Sequence, residues 1–541
     1  MAKYVFVTGG VVSSVGKGIL VASLGRLLKE RGYNVFLQKF DPYLNVDPGT
    51  VNPFQHGEVF VTYDGLETDL DVGHFERFLG EDLDKNCNAT IGKIYSKVIN
   101  KERAGDYRGD TIQVIPHVTS EIKAIMKSAG KDRDIVIVEI GGTVGDIEMG
   151  AYLESVRQME RELKDGNYVH IHMTHCPYLE CTGELKTKPT QHSVRELNES
   201  SLYPDIIVCR TAKDVEFTEH HKKKVAMFCN LNSPRDVIHL PDCKSIYEVP
   251  LVINSQALDR LVCEKLGLSI GKVNLSEWED MVATMSREDL PVVDIAIVGK
   301  YTEAKDSYLS VEEALRHAGF KNKYKVRITL ISAEDLELRG AKEVLRDFHG
   351  VVVPGGFGSR GIEGKILAAE YCRENKVPYI GLCLGMQVAV IEFARNVAKL
   401  NYANSTEFNP NTPDPVIYLI PEEKGITEKG ASMRLGNYSC NLIDGSLARR
   451  LYGMPVIEER HRHRFEFNKD YVERFVSLGL KISGINMEHD LVEIIEYGDH
   501  PFFVASQFHP ELRSRPFRPH PLFMGFMSAS IGNIKKPKLY N

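Results

Sequence analysis

The feature that most restricts the fold of this chain is a repeated pairing of short apolar runs with stretches of helical periodicity. Residues 4–8 read as a buried strand, 17–31 as a helix with Gly32 as its stop, and 35–40 as the next strand. The runs at 134–140, 169–173 and 206–209 continue the series. Strands that alternate with helices build a parallel sheet covered by helices on both faces, because each parallel connection has to cross over the sheet. The alternation weakens between Gly267 and Pro291. There Gly271, a short helical piece around Trp278 and the polar run Ser286-Arg287-Glu288-Asp289 read as a connection between domains. It restarts at 292–299 and continues through 326–331, 350–354, 378–382 and 502–507. The expectation is an α/β chain with two doubly wound parallel-sheet domains, 1–266 and 292–535. Residues 267–291 link them, and 536–541 form a lysine-bearing tail.

Composition narrows the class. With 541 residues, 43% hydrophobic and 26% charged, the chain can bury large cores. A net charge of −7 argues against a dedicated nucleic-acid binder. No apolar run is long enough to span a bilayer. The start, Met1-Ala2-Lys3-Tyr4-Val5-Phe6-Val7, enters a strand-like run without a signal-peptide pattern. The ten cysteines are scattered, mostly through apolar segments such as those of Cys209, Cys229 and Cys263, which suits a reducing compartment. These features describe a cytoplasmic enzyme with neither a membrane nor a nucleic acid as partner.

The first strand runs into Gly9-Gly10-Val11-Val12-Ser13-Ser14-Val15-Gly16-Lys17-Gly18-Ile19, and a helix follows. Glycines let backbone N–H groups turn toward an anion, a helix N-terminus adds positive potential, and Lys17 supplies a full charge. The usual phosphate-loop pattern is not met. One extra residue separates Gly10 from Gly16, and Gly18 stands where a hydroxyl normally binds Mg²⁺. Magnesium ligands must therefore come from elsewhere. Glu139, at the end of the apolar run 135–138, sits where parallel sheets bind ligands, and Asp71 in Glu67-Thr68-Asp69-Leu70-Asp71 is a second candidate.

The second half carries a different strand-turn-helix. Pro378-Tyr379-Ile380-Gly381-Leu382-Cys383-Leu384-Gly385-Met386-Gln387 places a cysteine between two glycines, a nucleophile elbow whose tight turn exposes the thiol and whose helix start favours the thiolate. Upstream, Val353-Pro354-Gly355-Gly356-Phe357-Gly358 offers backbone N–H groups for an oxyanion hole. Downstream, His509-Pro510-Glu511 sets a base and an orienting acid two residues apart. Cys383, His509 and Glu511 read as nucleophile, base and orienter.

These motifs carry a resemblance. The second half resembles a triad-type class I glutamine amidotransferase, a flavodoxin-like fold. The first resembles the dethiobiotin-synthetase-like P-loop synthetase domain of the CTP synthase family. The runs Lys39-Phe40-Asp41-Pro42-Tyr43-Leu44-Asn45-Val46-Asp47-Pro48-Gly49-Thr50, Gln55-His56-Gly57-Glu58-Val59-Phe60-Val61 and Gly183-Glu184-Leu185-Lys186-Thr187-Lys188-Pro189-Thr190-Gln191-His192-Ser193 all look like that family, as does 139–148. The resemblance implies that Ser14, Val15, Gly16, Lys17, Gly18, Ile19 and Asp71 bind ATP, with Pro241, Asp242 and Cys243 near adenine. It implies Mg²⁺ on Asp71 and Glu139. UTP, or CTP as feedback inhibitor, would meet Ser13, Asp146, Ile147, Glu148, Lys186, Thr187, Lys188, Pro189, Thr190, Gln191 and Lys224. L-Glutamine would meet Gly356, Leu384, Gly385, Met386, Gln387, Glu407 and Arg464. Lys429-Gly430-Ala431-Ser432-Met433-Arg434-Leu435-Gly436 looks like a mobile segment linked to activation by GTP. The implied activity is ATP-dependent amination of UTP to CTP by a homotetramer, with ammonia passing between the halves through an internal channel.

Other features carry less. His170 and His172 alternate as strand residues do, and with His175, Cys176 and Cys181 they lack the spacing of a structural metal site. Lys222-Lys223-Lys224 is by composition a solvated run, and Arg460-His461-Arg462-His463-Arg464 reads as a strand facing the glutamine pocket. Two other readings share the cradle and the elbow: a P-loop synthetase of the cobyrinic acid amidating type, and a P-loop scaffold with a degenerate second domain. The former has no need of residues 186–191, and the intact Cys383, His509 and Glu511 oppose the latter.

Overall fold

The computed structural model describes residues 2–51, 57–304, 306–419 and 433–534. They fall into two compact units, one of residues 1–50 and 71–283, the other of 51–70 and 284–541.

The first unit is built on seven strands, Lys3–Gly9 (β1), Val35–Asp41 (β2), Asn88–Thr90 (β3), Ile135–Ile140 (β4), Tyr168–His175 (β5), Ile206–Thr211 (β6) and Val237–Pro241 (β7). Their order is β7-β6-β5-β1-β4-β2-β3, and every pairing is parallel. All six residues of β4 are buried, which is why that strand reads as a continuous apolar run rather than an alternating one. β1 lies at the centre, between β5 and β4, where the strand order reverses and ligands bind beyond the carboxyl ends. The register places Glu139 beside Val7 on one side and Lys39 on the other. His170 and His172 are consumed internally. The Thr8 hydroxyl lies 2.9 Å from a ring nitrogen of each, and His172 reaches Ser193 at 2.8 Å.

The second unit holds a nine-stranded sheet of Val292–Gly299 (β8), Lys325–Ser332 (β9), Gly350–Val353 (β10), Tyr379–Leu382 (β11), Arg434–Leu442 (β12), Val456–His463 (β13), Leu480–Asn486 (β14), Leu491–Tyr497 (β15) and Phe503–Ser506 (β16). The order is β9-β8-β10-β11-β16-β15-β14-β12-β13. The run from β9 to β16 is parallel, as the alternation predicts, and helices such as Ile362–Asn375 and Leu384–Asn396 pack on it. From β16 onward the pairing is antiparallel, an extension that no strand-helix alternation announces.

Two segments lie where the sequence division does not put them. Residues 57–70 belong to the second unit. They form a hairpin of Phe60–Val61 with Glu67–Thr68, held by Arg460 Nη1 donating to Val61 O at 2.9 Å and Arg462 Nε donating to Glu67 Oε1 at 2.7 Å. Within the stretch read as a linker, helix Ser276–Met285 packs in the first unit. The Trp278 indole is 1% exposed, donates to Tyr247 O at 2.7 Å and carries Arg26 over its ring. A single aromatic anchor orders what its polar neighbours made look like a connection. All ten cysteines are free. No helix among the described residues is long and apolar enough to cross a membrane. Residues 429–432 of the segment tied to GTP, Gln55 and His56, and the tail 536–541 lie outside the described residues.

Candidate functional site

In the first unit, β1 ends at Gly9 and helix Lys17–Glu30 begins after a left-handed Gly16 at φ 102°. Gly9 leaves room for the path of Lys17: a Cβ there would lie 2.8 Å from Lys17 Cδ. Lys17 folds back over the loop, and its Nζ donates to Gly142 O at 2.7 Å. The non-standard Gly18 has an equally direct cause. A Cβ at that position would sit 2.3 Å from Asp71 Oδ1, so the aspartate occupies the space of the hydroxyl the usual loop carries. Sequence reading noticed the missing hydroxyl, and the fold puts a carboxylate in its place.

Charge is concentrated here. Lys39 Nζ pairs with Asp71 Oδ2 and lies 3.5 Å from Asp41 Oδ1. Burial pushes Glu139 up to about 8, the nearby Asp71 adds to the rise, and Lys39 and Lys17 oppose it. Burial likewise lowers Lys17, against the pull of Glu139. For Asp71 burial acts upward, but Lys39, His74 and Lys17 together outweigh it and the carboxyl is held low. Glu139 Oε2 is buried and lacks a hydrogen-bond partner among the described residues. Two hard carboxylates, one with an orphaned oxygen, beside an anion-binding loop form a donor set that fits magnesium sharing its shell with phosphate and water. They form no larger acidic or histidine cluster among the described residues.

Beside the loop, a hollow of about 360 Å³ is lined by Val15, Gly16 and Ile19 together with Pro241, Asp242 and Cys243. Arg210, which sequence reading missed, clamps it. Its Nε donates to Asp242 Oδ1 at 2.7 Å, and its Nη1 donates to Val15 O at 3.0 Å. Its signal was its position near the end of a parallel strand, the same signal that marked Glu139. The residues expected to meet a pyrimidine nucleotide are less drawn together. Thr187 and Thr190 are buried at the start of helix Lys188–Glu199. Asp146, Ile147 and Glu148 form an exposed turn, with Ile147 93% exposed, and Lys224 is also exposed.

In the second unit the elbow is a strained turn. Cys383 has φ 53° and ψ −103°, a conformation that costs a non-glycine residue on the order of 1–3 kcal/mol and recurs at reactive sites. The flanking glycines are sterically required. A Cβ on Gly381 would lie 2.6 Å from Gly385 O, and one on Gly385 would lie 2.1 Å from Val353 O. Leu384 opens helix Leu384–Asn396, so its N–H belongs to the end where amides lack intrahelical acceptors. Gln507 Nε2 donates to Cys383 Sγ at 3.7 Å, and the thiol reaches Arg462 O at 3.8 Å.

His509 Nδ1 donates to Glu511 Oε1 at 2.7 Å. Among the described residues its Nε2 makes no conventional hydrogen bond, yet it faces the elbow. A Cβ on Gly355 would find His509 Cε1 at 2.9 Å, Cys383 Cβ at 3.6 Å and His509 Nε2 at 3.7 Å. Burial opposes a charge on this imidazole, but Glu511 and then Cys383 outweigh it and lift His509 to about 10. Around it, Glu407 accepts from the Gly358 N–H at 2.8 Å and is raised by burial despite the opposing fields of Lys300 and Arg464. Gln387 donates to Phe465 O at 3.0 Å. The fold thus brings Gly356, Leu384, Gly385, Met386 and Gln387 to the nucleophile. Sequence reading missed Lys300 and Lys365, which stand behind Gly356 at 3.8 and 3.7 Å from its would-be Cβ.

Comparison with known proteins agrees with both halves. Residues 3–268 match the family described as CTP synthase N-terminus, and 303–529 match glutamine amidotransferase class-I. The CTP synthase of Caldanaerobacter subterraneus subsp. tengcongensis is 56% identical over 537 residues, covering 99% of both chains. That of Carboxydothermus hydrogenoformans is 56% identical over 539 residues, covering 99% of this chain and 100% of its own. A solved glutaminase domain of Trypanosoma brucei CTPS with bound acivicin is 38% identical, covers 44% of this chain and 94% of its own, and has a TM-score of 0.42. Identity of this level over nearly the whole length, with both halves matched in order, shows that the chain belongs to the CTP synthase family.

Proposed function

We propose the following division of labour for the glutamine-dependent, ATP-consuming conversion of UTP to CTP that membership of this family carries. The second unit releases nitrogen. His509, oriented by Glu511, holds the proton that leaves the Cys383 thiol, and the thiolate attacks the amide carbon of glutamine. The N–H groups of Leu384 and Gly356 receive the oxyanion, and Glu407 and Arg464 hold the amino and carboxylate ends of the substrate. Collapse expels ammonia with the proton from His509, and water then cleaves the glutamyl thioester to glutamate.

The first unit prepares the acceptor. The C4 oxygen of uracil has no leaving tendency of its own, so ATP transfers its γ-phosphoryl to it. Ammonia then attacks C4 and phosphate departs. Loop residues Ser13 to Ile19 cradle the phosphates, and Lys17 meets the charge on the moving group. The hollow at Pro241–Cys243 takes adenine, with Arg210 closing it. Asp146 to Glu148, Lys186 to Gln191 and Lys224 take the pyrimidine nucleotide. Asp71 and Glu139 would hold magnesium, which when bound supplies positive charge against the triphosphate. The buried, unpartnered oxygen of Glu139 supports that assignment.

Activation by GTP, feedback inhibition by CTP, assembly as a homotetramer and a cytoplasmic location belong to the same reading, supported by kinship. The observation that carries it is the coexistence in one chain of a strained cysteine beside a His509–Glu511 pair and a lysine-bearing phosphate loop facing two acids. The test uses Cys383→Ala with UTP, ATP and magnesium. CTP formation from glutamine is expected to fall by a thousandfold or more, by analogy with the roughly million-fold loss on removing a triad nucleophile. Formation from added ammonia should persist. Loss of both, or of neither, contradicts the division.

A further inference from the structure

Lys365 has no part in the chemistry above, yet its placement is unusual. It lies in the first turn of helix Ile362–Asn375, is 0% exposed, and its Nζ has no hydrogen-bond partner among the described residues. Buried lysines without a partner are rare, because an unpaired ammonium away from water is costly. The amine points at the back of the glycine loop, 3.7 Å from where a Cβ of Gly356 would stand. The preceding residue, Gly355, abuts Cys383 and His509 in the same way. The loop therefore has the reacting pair against one glycine and an unpaired amine against the next.

We propose that Lys365 is a positioning residue for glutamine hydrolysis, its protonated form supporting, through the Gly355-Gly356 peptide, the negative charge that develops over Cys383. The inference rests on the glutaminase reading given above. At rest the amine is poised rather than fixed in charge: burial first and then Lys300 push it down, Cys383 pulls it up, and together they leave it at about 7. Several other charged groups near helix Ile362–Asn375 are engaged elsewhere, while Glu370 on the same helix is raised chiefly by burial. Glu337 accepts from the Gly364 N–H, Glu363 pairs with Arg395, and Arg373 pairs with Glu392. Lys300 itself donates to Phe357 O, and its own carbonyl accepts from Arg360. Negative charge on the Cys383 side is what favours the proton on Lys365, and water in equilibrium with the buffer supplies it. The fit is between a residue that gains charge and a reaction that makes the opposite charge across one peptide.

The pH profile of kcat for glutamine hydrolysis tests this in the full-length enzyme. The unsubstituted protein should show a step downward as pH rises through about 7. Lys365→Met should remove that step and lower the acid-side rate roughly tenfold, less than the hundredfold or more that a direct oxyanion donor costs. Lys365→Arg, which stays charged, should also lack the step but retain more of the rate than the methionine variant. CTP formation from ammonia reports that each variant is folded and should be unchanged. A Lys365→Met enzyme with both the step and the rate of the parent overturns the proposal. Should that variant also lose the ammonia reaction, the parent's profile decides, and the absence of a step near 7 overturns it equally. The Cys383→Ala result tests the underlying site reading separately, since it does not depend on Lys365.

Discussion

The phosphate loop of the first unit and the elbow of the second are the same local device, a buried parallel strand that turns sharply into a helix, used in opposite ways. At the elbow the reacting group is the turn itself. Cys383 takes the strained conformation, and His509 and Glu511 complete a constellation that needs no ligand to be assembled. At the phosphate loop the turn recedes. Gly9 and Gly18 clear space for Lys17 and Asp71, and the charges that converge there are in tension. Glu139 prefers its proton up to about 8, and burial acts against the charge on Lys17. A covalent site can be finished in advance. A site that waits for a polyanion and its metal has to keep opposing charges close and incompletely satisfied, and the ligand completes it.

The largest test of that contrast removes a charge from the unfinished site. Lys17→Met should lower CTP formation by about a hundredfold or more, whichever nitrogen source is supplied, since a lost transition-state contact costs that much. Glutamine hydrolysis without nucleotides should remain. Equal loss of hydrolysis would mean that the two sites are not separable in the way their construction suggests.

A smaller effect concerns the tension at Glu139. With a folded value of about 8 against an ordinary 4.5, this carboxyl holds a proton in the native protein that the unfolded chain releases. Its contribution to stability is therefore lost as pH rises from about 4.5 to 8, the opposite of a salt-bridged acid. Magnesium with ATP should displace that proton. Calorimetry at pH 7 in buffers of different ionisation enthalpy should register up to about one proton released on binding. The release should vanish above pH 8 and in Glu139→Gln. Removing magnesium with a chelator should restore the proton. Unaltered release in the glutamine variant would remove Glu139 from the site.

How much of this was legible in the chain depended on whether the signal was local. The elbow, the lysine of the loop and the strand-end Glu139 are visible because strand, turn and helix are contiguous, and the residue types that permit the turn are few. The parallel sheets were visible for the same reason. Arg210, Lys365 and the hairpin at Phe60–Val61 were not, since their roles come from packing against residues far away in sequence. Arg210 reaches Val15, and Arg460 reaches Val61. Of the antiparallel strands β12 to β15 only the 460–464 part of β13 was read as a strand, because the short helices between them, Leu447–Tyr452 and Val472–Ser477, give no regular strand-helix alternation. The packing of Trp278 in the first unit was not legible, as one buried indole outweighs a dozen polar neighbours.

The finest comparison sets one glycine from each site against the other. Gly18→Ala and Gly355→Ala each add a single methyl group without a positive φ to strain it. The first methyl would meet the Asp71 carboxylate at 2.3 Å, and the second would meet His509 Cε1 at 2.9 Å. Asp71 is tied to Lys39, so displacing it disturbs an ion pair as well as the magnesium ligand proposed above. His509 is fixed on its far side by Glu511, and its ring has to shift, though less far than the Asp71 carboxylate. Since a misplacement of about 1 Å costs roughly a hundredfold, Gly18→Ala should lower CTP formation about tenfold from either nitrogen source, and Gly355→Ala should lower the glutamine-dependent rate only a few-fold. The ammonia-dependent rate of Gly355→Ala should equal that of the parent. If instead the elbow proved the more sensitive of the two, the finished site would be the tighter one. The incompletely satisfied charges of the phosphate loop would then be slack that absorbs a methyl group, not tension that a methyl group disrupts.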